Sequence, residues 1–342
     1  MLTPDDVNPP IHDLKWGHIV GFAATTQVFP PMKNPEINAI ADNFHTNIQR
    51  IKSMLVTPTL IGDLTMDIQR CYDYAELQIT KTISDPILRE FSQAPAEIAK
   101  LANSIFHLNN KEMIEAQEQG GPAWEEYFLA SLNRGTAPVI MLQITASGAG
   151  LEAMLSGAIT GTWTAYETMA GDLWETAVNV HPKTLAELKG KKKRKENPDD
   201  EDEETVSPKE NLKQVLLSEI LRHQYDIRNK MGSVHREQRR FDTLSGIREA
   251  YRMAFCKKYA DVDAALDDKS IDAVNAVRNL IVHRSGIVDQ DYEKQSKFLP
   301  IPKAKQGEPI LLDGEIAMDL MIPIIKKAIG LIHAVDEWIA AN

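Results

Sequence analysis

From Asn34 onward the apolar residues recur at three- and four-residue intervals, the spacing of one face of a helix. Asn34-Pro35-Glu36 opens the first run: asparagine caps, proline suits the first helical position, and glutamate sits at the positive end of the helix dipole. Ile37, Ile40, Ala41, Phe44, Ile48 and Ile51 form its stripe. The pattern breaks near Thr57-Pro58 and resumes through Leu60, Leu64, Ile68, Cys71, Ala75 and Ile79. Asp85-Pro86 repeats the cap-plus-proline start. Ile98, Leu101, Ile105 and Leu108 mark another amphipathic stretch, and a further helix carries Trp124, Phe128 and Leu132 before Arg134-Gly135. Nothing in residues 1–135 alternates with the period of a strand, while residues 1–33, with five prolines, show no sustained period and read as an arm.

Residues 138–166 contain one charged residue, Glu152, but interleave Gly148, Gly150, Gly157 and Gly161 with Ser and Thr. A membrane span needs about twenty strongly apolar residues. This composition predicts a helix packed closely on other helices, leading into one with aromatic anchors from Trp163 to Trp174. Residues 189–204 (KGKKKRKENPDDEDEE) cannot bury apolar area and predict a solvated, mobile loop. Ser207-Pro208-Lys209-Glu210 closes it as a capping box, opening a helix with Leu212, Val215, Leu216 and Ile220. Three more helices follow: about Thr243–Lys257, with Leu244, Ile247, Tyr251 and Phe255 on one face; one from near Ser270 with Ile271, Val274, Val277 and Ile281, which Gly286 is placed to end; and about Gly314–Ala340, which Pro323 should kink or break. The fold class is all-α.

Composition narrows the function classes. The chain has 342 residues, 43% of them hydrophobic and 25% charged, an ordinary globular balance. Two cysteines, Cys71 and Cys256, cannot build a disulfide framework or a four-cysteine zinc site, and that usage points to a reducing cytoplasm. Met1–Pro10 lacks the basic-then-apolar pattern of a secretory signal. No nucleotide-binding glycine loop or nucleophile elbow occurs, so ATP-driven chemistry and the α/β-hydrolase class are not expected. Aromatic residues make up only 6%, which disfavours a base-stacking platform.

Charge is uneven. The net charge is −11; residues 1–188 carry −11 of it by themselves, whereas residues 211–260 sum to +6. Arg236, Arg239, Arg240, Arg248 and Arg252 are the candidates in that segment for holding an RNA backbone. Solvated helix surfaces would give the same composition, so both readings stay open.

Arg278-Asn279-Leu280-Ile281-Val282-His283 joins a permanent cation, an amide and an imidazole near a helix end. Arginine presents planar donors that match a phosphate, and histidine moves protons near neutrality. Cleavage of RNA by its own 2′-hydroxyl needs a base, an acid and positive charge at phosphorus, with no metal or cofactor. One Arg and one His supply half of that set; a symmetric dimer would supply the rest. Arg and His at a helix end also serve simply to satisfy terminal carbonyls. Arg278 and His283 lie ~140° apart on an ideal helix, so a shared face requires a distorted last turn or a histidine just past the end.

The stretch VRNLIVHRSGIVD, after two helices and before a final long one, resembles the HEPN superfamily, whose signature is Arg, usually a polar residue, a short spacer and His. The resemblance implies a helical bundle that dimerises to form a composite cleft, and a metal-independent endoribonuclease of toxin–antitoxin, abortive-infection or other antiviral defence type, with an antitoxin or sensor partner. On it, Arg278 is the phosphate clamp, Asn279 an orienting group and His283 the acid–base residue. Glu167 is a candidate for the acid that some members carry on an earlier helix. Ser285 stands where members silenced by nucleotide transfer have Tyr, which puts that regulation in doubt. The resemblance divides the chain into residues 1–140, a helical region without a counterpart, and 141–342, a HEPN-like domain with a charged insertion at about 187–207. The rival reading is a non-catalytic scaffold of the same type that binds RNA or a protein. His223 and His235 lack ligands at a metal spacing, His333 reads as a packed or boundary residue, and the two cysteines as core thiols.

Overall fold

The computed structural model describes residues 31–82, 94–119, 148–186, 217–255 and 260–342, with positions 19, 21–23, 121 and 123. The fold is all-α: these residues form helices, with a single isolated antiparallel bridge between Ile287 and Pro309. Among them no helix is long and apolar enough to cross a membrane.

Helix α1 (Pro35–Thr82) begins where the capping residues place it, with Asn34 Oδ1 accepting from the Glu36 amide at 2.9 Å and the Ile37 amide at 3.4 Å. The expected break at Thr57-Pro58 does not occur, and the helix runs on for 48 residues. Proline removes one i→i−4 bond, but the buried Leu55 and Val56 just before it anchor the helix through that gap.

The chain divides into two compact units, one of Met1–Thr26, Arg50–Ala158 and Leu312–Met318, the other of Gln27–Gln49, Ile159–Leu311 and Asp319–Asn342. Three of the divisions fall inside long helices, between Gln49 and Arg50, Ala158 and Ile159, and Met318 and Asp319. In the first unit, Cys71 and Ala75 of α1 bury against Ala102 of α2 (Ala94–Asn109), with Ile98, Leu101, Ile105 and Phe106 packed around them. Leu108, expected on that stripe, is 74% exposed. Helix α3 (Lys111–Gln119) follows.

The second unit is built on α4 (Gly148–Val180) from Ile159 onward, which ends at His181 before the short turn α5 (Pro182–Leu185). Two short helices follow, α6 (Leu217–Arg222) and α7 (Met231–Arg236), then α8 (Leu244–Phe255), α9 (Ala260–Leu266), α10 (Lys269–Arg284), α11 (Gln290–Gln295) and α12 (Gly314–Ala341). Trp163, Tyr166 and Trp174 of α4 are buried, as are Leu244, Ile247, Tyr251 and Phe255, the predicted stripe of α8. Two buried hydrogen bonds join these helices: the Trp174 indole N–H donates to the Ala250 carbonyl at 3.0 Å, and the Tyr251 hydroxyl to the Ala170 carbonyl at 2.8 Å. Phe255 packs edge-on against Trp338 of α12, ring centres 5.3 Å apart. The buried Asp336 of α12 accepts from the Lys33 and Asn34 amides at 2.8 and 2.9 Å, fixing the start of α1. Helix α12 continues through Pro323.

The sequence pattern missed α7, α9 and α11, which are six or seven residues long, too short to show a period. The predicted starts at Asp85 and Ser207, the Trp124–Leu132 helix and the charged run 189–204 lie outside the described residues.

Candidate functional site

Helix α10 carries the Arg-Asn-His stretch, and both of its ends are fixed by local chemistry. At the start, Asp268 accepts from the Ser270 amide at 2.8 Å and from its hydroxyl at 2.6 Å, while Lys327 of α12 pairs with the other oxygen at 2.7 Å. The Lys327 and Ser270 hydrogen bonds pull the Asp268 carboxyl down to about 2. At the far end, Ser285 takes a left-handed conformation (φ 53°), its amide bonds the Ile281 carbonyl, and the Gly286 amide reaches back to Leu280 at 3.1 Å. The helix therefore ends at Arg284, and His283 lies within its last turn.

A cleft of ≈ 1120 Å³ runs along this helix, walled by α10, by α8 with the turn before it, and by Glu167 of α4. That turn is tight because residue 246 is glycine: a Cβ there would stand 1.8 Å from the Arg240 carbonyl oxygen. Thr243 caps α8, its hydroxyl accepting from the Gly246 amide at 3.2 Å. Arg278, Asn279 and His283 all line the cleft, with no distortion of the last helical turn. Asp272, Asn275, Asn279 and His283 follow each other at three- or four-residue steps and make one stripe. Arg278 lies to one side of that stripe, and its long side chain turns back along it, Nη1 donating to Asn279 Oδ1 at 3.0 Å. Arg278 and His283 thus line the same cleft despite their angular separation on the helix.

The arginines of the basic segment separate into distinct environments. Arg248 is nearly buried and bound by three hydrogen bonds, to both carboxylate oxygens of Asp272 at 2.7 and 3.0 Å and to the Leu266 carbonyl at 2.9 Å. Burial lowers its pKa and the Asp272 bonds more than offset that, leaving it raised. Arg252 pairs with Asp267 at 3.7 Å, and the exposed Arg240 with Asp242 at 3.3 Å. Arg236 and Arg239 do not line the cleft. Arg236 is held by Asp172 and Glu175 at 2.6 and 2.8 Å, and Arg239 donates to the Met253 sulfur at 3.0 Å, its pKa lowered by burial.

Among the described residues, Arg278 is the cleft arginine that makes no ion pair, and its Nε is buried with no hydrogen-bond partner. Glu167 faces it without contact: burial raises the Glu167 pKa, and the Arg278 charge and the Trp163 indole N–H partly offset this. His283 is exposed. No family model, characterised protein or solved structure matches this chain.

The cleft also holds residues that spacing alone did not single out. Asn275, four positions before Asn279, accepts from the Asn279 NH2 through its amide oxygen at 3.4 Å. Its i,i+4 relation to Asn279 was the available signal. Asp267 and Asp272 lie outside the basic segment 211–260 and oppose its charge only in the fold. Glu167, Asp242, Glu249, Asp267 and Asp272 set five carboxylates beside four arginines. The cleft therefore works through positioned donors and not through a strong net positive field. No group of three or more His, Cys, Asp and Glu among the described residues is arranged to hold a metal ion.

Proposed function

We propose that this chain is a metal-independent endoribonuclease of the HEPN type, acting through a composite site in a homodimer. The observation that carries the reading is the pairing, in one cleft, of an arginine free of any carboxylate among the described residues with an exposed histidine five residues further along the same helix. Arg278 would hold the scissile phosphate with its remaining N–H groups and stabilise the charge that builds at phosphorus. One imidazole takes the proton of the 2′-hydroxyl, whose oxygen attacks phosphorus. The bond to the 5′-oxygen breaks, and a second, protonated imidazole donates to that leaving oxygen. The products are a 2′,3′-cyclic phosphate and a 5′-hydroxyl. Each copy supplies one His283, so the acid and the base come from two copies. The exposure of Val282 (48%) and Ile287 (42%), on either side of His283 in sequence, supports an apolar contact there.

A non-catalytic scaffold of the same type, binding RNA or a partner protein, is the second reading, favoured by the five carboxylates that line the cleft. The two readings separate on incubation with diverse RNAs in EDTA, wild type beside His283→Ala and Arg278→Ala. Cleavage in the wild type that both variants lack supports the nuclease. Salt-sensitive binding without cleavage supports the scaffold, and cleavage that persists in both variants excludes the site.

A further inference from the structure

We propose that Asn275 is the positioning residue for Arg278, fixing the polarity of an amide ladder, and that its own NH2 group is a donor to an acceptor oxygen of the bound strand. The proposal rests on the RNA-cleft reading for the nature of the ligand, but not for the ladder itself.

The polarity follows from donor chemistry. A guanidinium has N–H groups and no acceptor. The Arg278 Nη1 bond at 3.0 Å therefore requires Asn279 to present its oxygen, because its NH2 in that place would oppose donor to donor. The Asn279 NH2 is thereby turned toward Asn275, and the 3.4 Å contact requires Asn275 to present its oxygen in turn. One assignment propagates down the helix, and the ladder ends at the NH2 of the half-buried Asn275, which has no partner among the described residues. At the other end, Arg278 Nε is buried and has no partner among the described residues.

Asn275 and Arg278 are one turn apart, with a rise of ~4.5 Å, and both line the cleft. Along this row N–H groups of Arg278 and Asn275 remain without partners among the described residues. Such a row suits a ligand that presents several oxygens in succession. On a nucleic-acid strand the acceptor opposite Asn275 is either a phosphoryl oxygen or a base carbonyl. Without Asn275, the Asn279 amide is free to turn, and Arg278 loses the neutral acceptor that holds it away from the nearby carboxylates.

The test compares full-length wild type, Asn275→Ala and Asn275→Asp by two readouts. The first is the NMR signal of the Arg278 side-chain Nε–H, assigned by its loss in Arg278→Lys. The second is affinity for a single-stranded 2′-O-methyl oligonucleotide, which binds without being cleaved. Aspartate still accepts from the Asn279 NH2 but donates nothing. Asn275→Asp should therefore keep the Arg278 signal at its wild-type position while weakening binding about tenfold or more. Asn275→Ala should shift or broaden the signal and weaken binding as well. A wild-type Arg278 signal in Asn275→Ala overturns the ladder, and wild-type affinity in both variants overturns the donor role. Equal losses on oligo-U, oligo-A and oligo-C that vanish with methylphosphonate linkages assign a phosphoryl oxygen; losses that depend on the base assign a carbonyl. If the wild type binds no oligonucleotide, the RNA reading and the donor role fail, and the Arg278 signal alone still decides the ladder.

Discussion

Arg248 belongs to the basic segment that reads as an RNA contact, yet the fold has committed it elsewhere. Its three hydrogen bonds join α8 to α10 and to the end of α9, and its side chain is only 14% exposed. Replacing it by alanine removes these bonds and leaves the Leu266 carbonyl and the Asp272 carboxylate without their partner. Breaking a fully buried pair costs about 3–5 kcal/mol. Asp272 is 34% exposed and rehydrates in part, so the loss for Arg248→Ala should be about 2–4 kcal/mol. Urea unfolding followed by tryptophan fluorescence measures it, since Trp163, Trp174 and Trp338 are all buried in this unit. In a double-mutant cycle with Asp272→Ala, the coupling should be about 1–3 kcal/mol. Arg240→Ala, whose ion pair is exposed, should stay within about 0.5 kcal/mol of wild type. If Arg248→Ala unfolded at the wild-type urea concentration and only weakened oligonucleotide binding, Arg248 would be a ligand contact and the reasoning here would be wrong.

Other expectations follow from the same packing. The fully buried Tyr166 hydroxyl has no hydrogen-bond partner among the described residues, so Tyr166→Phe should leave stability unchanged or raise it by about 1 kcal/mol; a loss of that size would reveal a partner. Asp268, held down to about 2 in the fold against an ordinary 3.8, adds stability that is complete above 3.8 and fades as pH falls through 2. Asp268→Asn should accordingly be less stable than wild type at neutral pH by about 1–2 kcal/mol, and the two should converge near pH 2 in pH-dependent unfolding. Glu167 has the opposite sign: burial raises its pKa, so its ionisation opposes folding as pH rises above the ordinary carboxylate range. Glu167→Gln should be the more stable form at neutral pH, with no advantage in acid, and should bind an anionic strand more tightly through loss of a facing charge.

Much of this architecture is legible in the sequence because long helices repeat their apolar positions. Asn34, the α8 stripe and the span of α10 all follow from spacing and caps. Pro58 misleads because one missing amide is outweighed by neighbours that only the tertiary fold reveals. The division into two units is hard to read for a related reason: three of its boundaries fall within continuous helices. In the site, the Arg-Asn-His stretch is readable as chemistry, but its pairing is not. Asp267 and Asp272 reach Arg252 and Arg248 only through the packing of α8 against its neighbours, which turns a basic segment into a cleft of balanced charge. Asn275 stands out only once Asn279 is seen to need a partner.

On the proposed nuclease reading, the RNA's own 2′-hydroxyl attacks in a cleft governed by Arg278 and His283. The most direct test of that reading is end-group analysis of a single-site substrate cleaved in EDTA, beside the same strand with one 2′-deoxy nucleotide at the cleavage position. The account predicts a 2′,3′-cyclic phosphate and a 5′-hydroxyl from the first and no cleavage of the second. Products bearing a 5′-phosphate, or equal cutting of the deoxy-substituted strand, would contradict it.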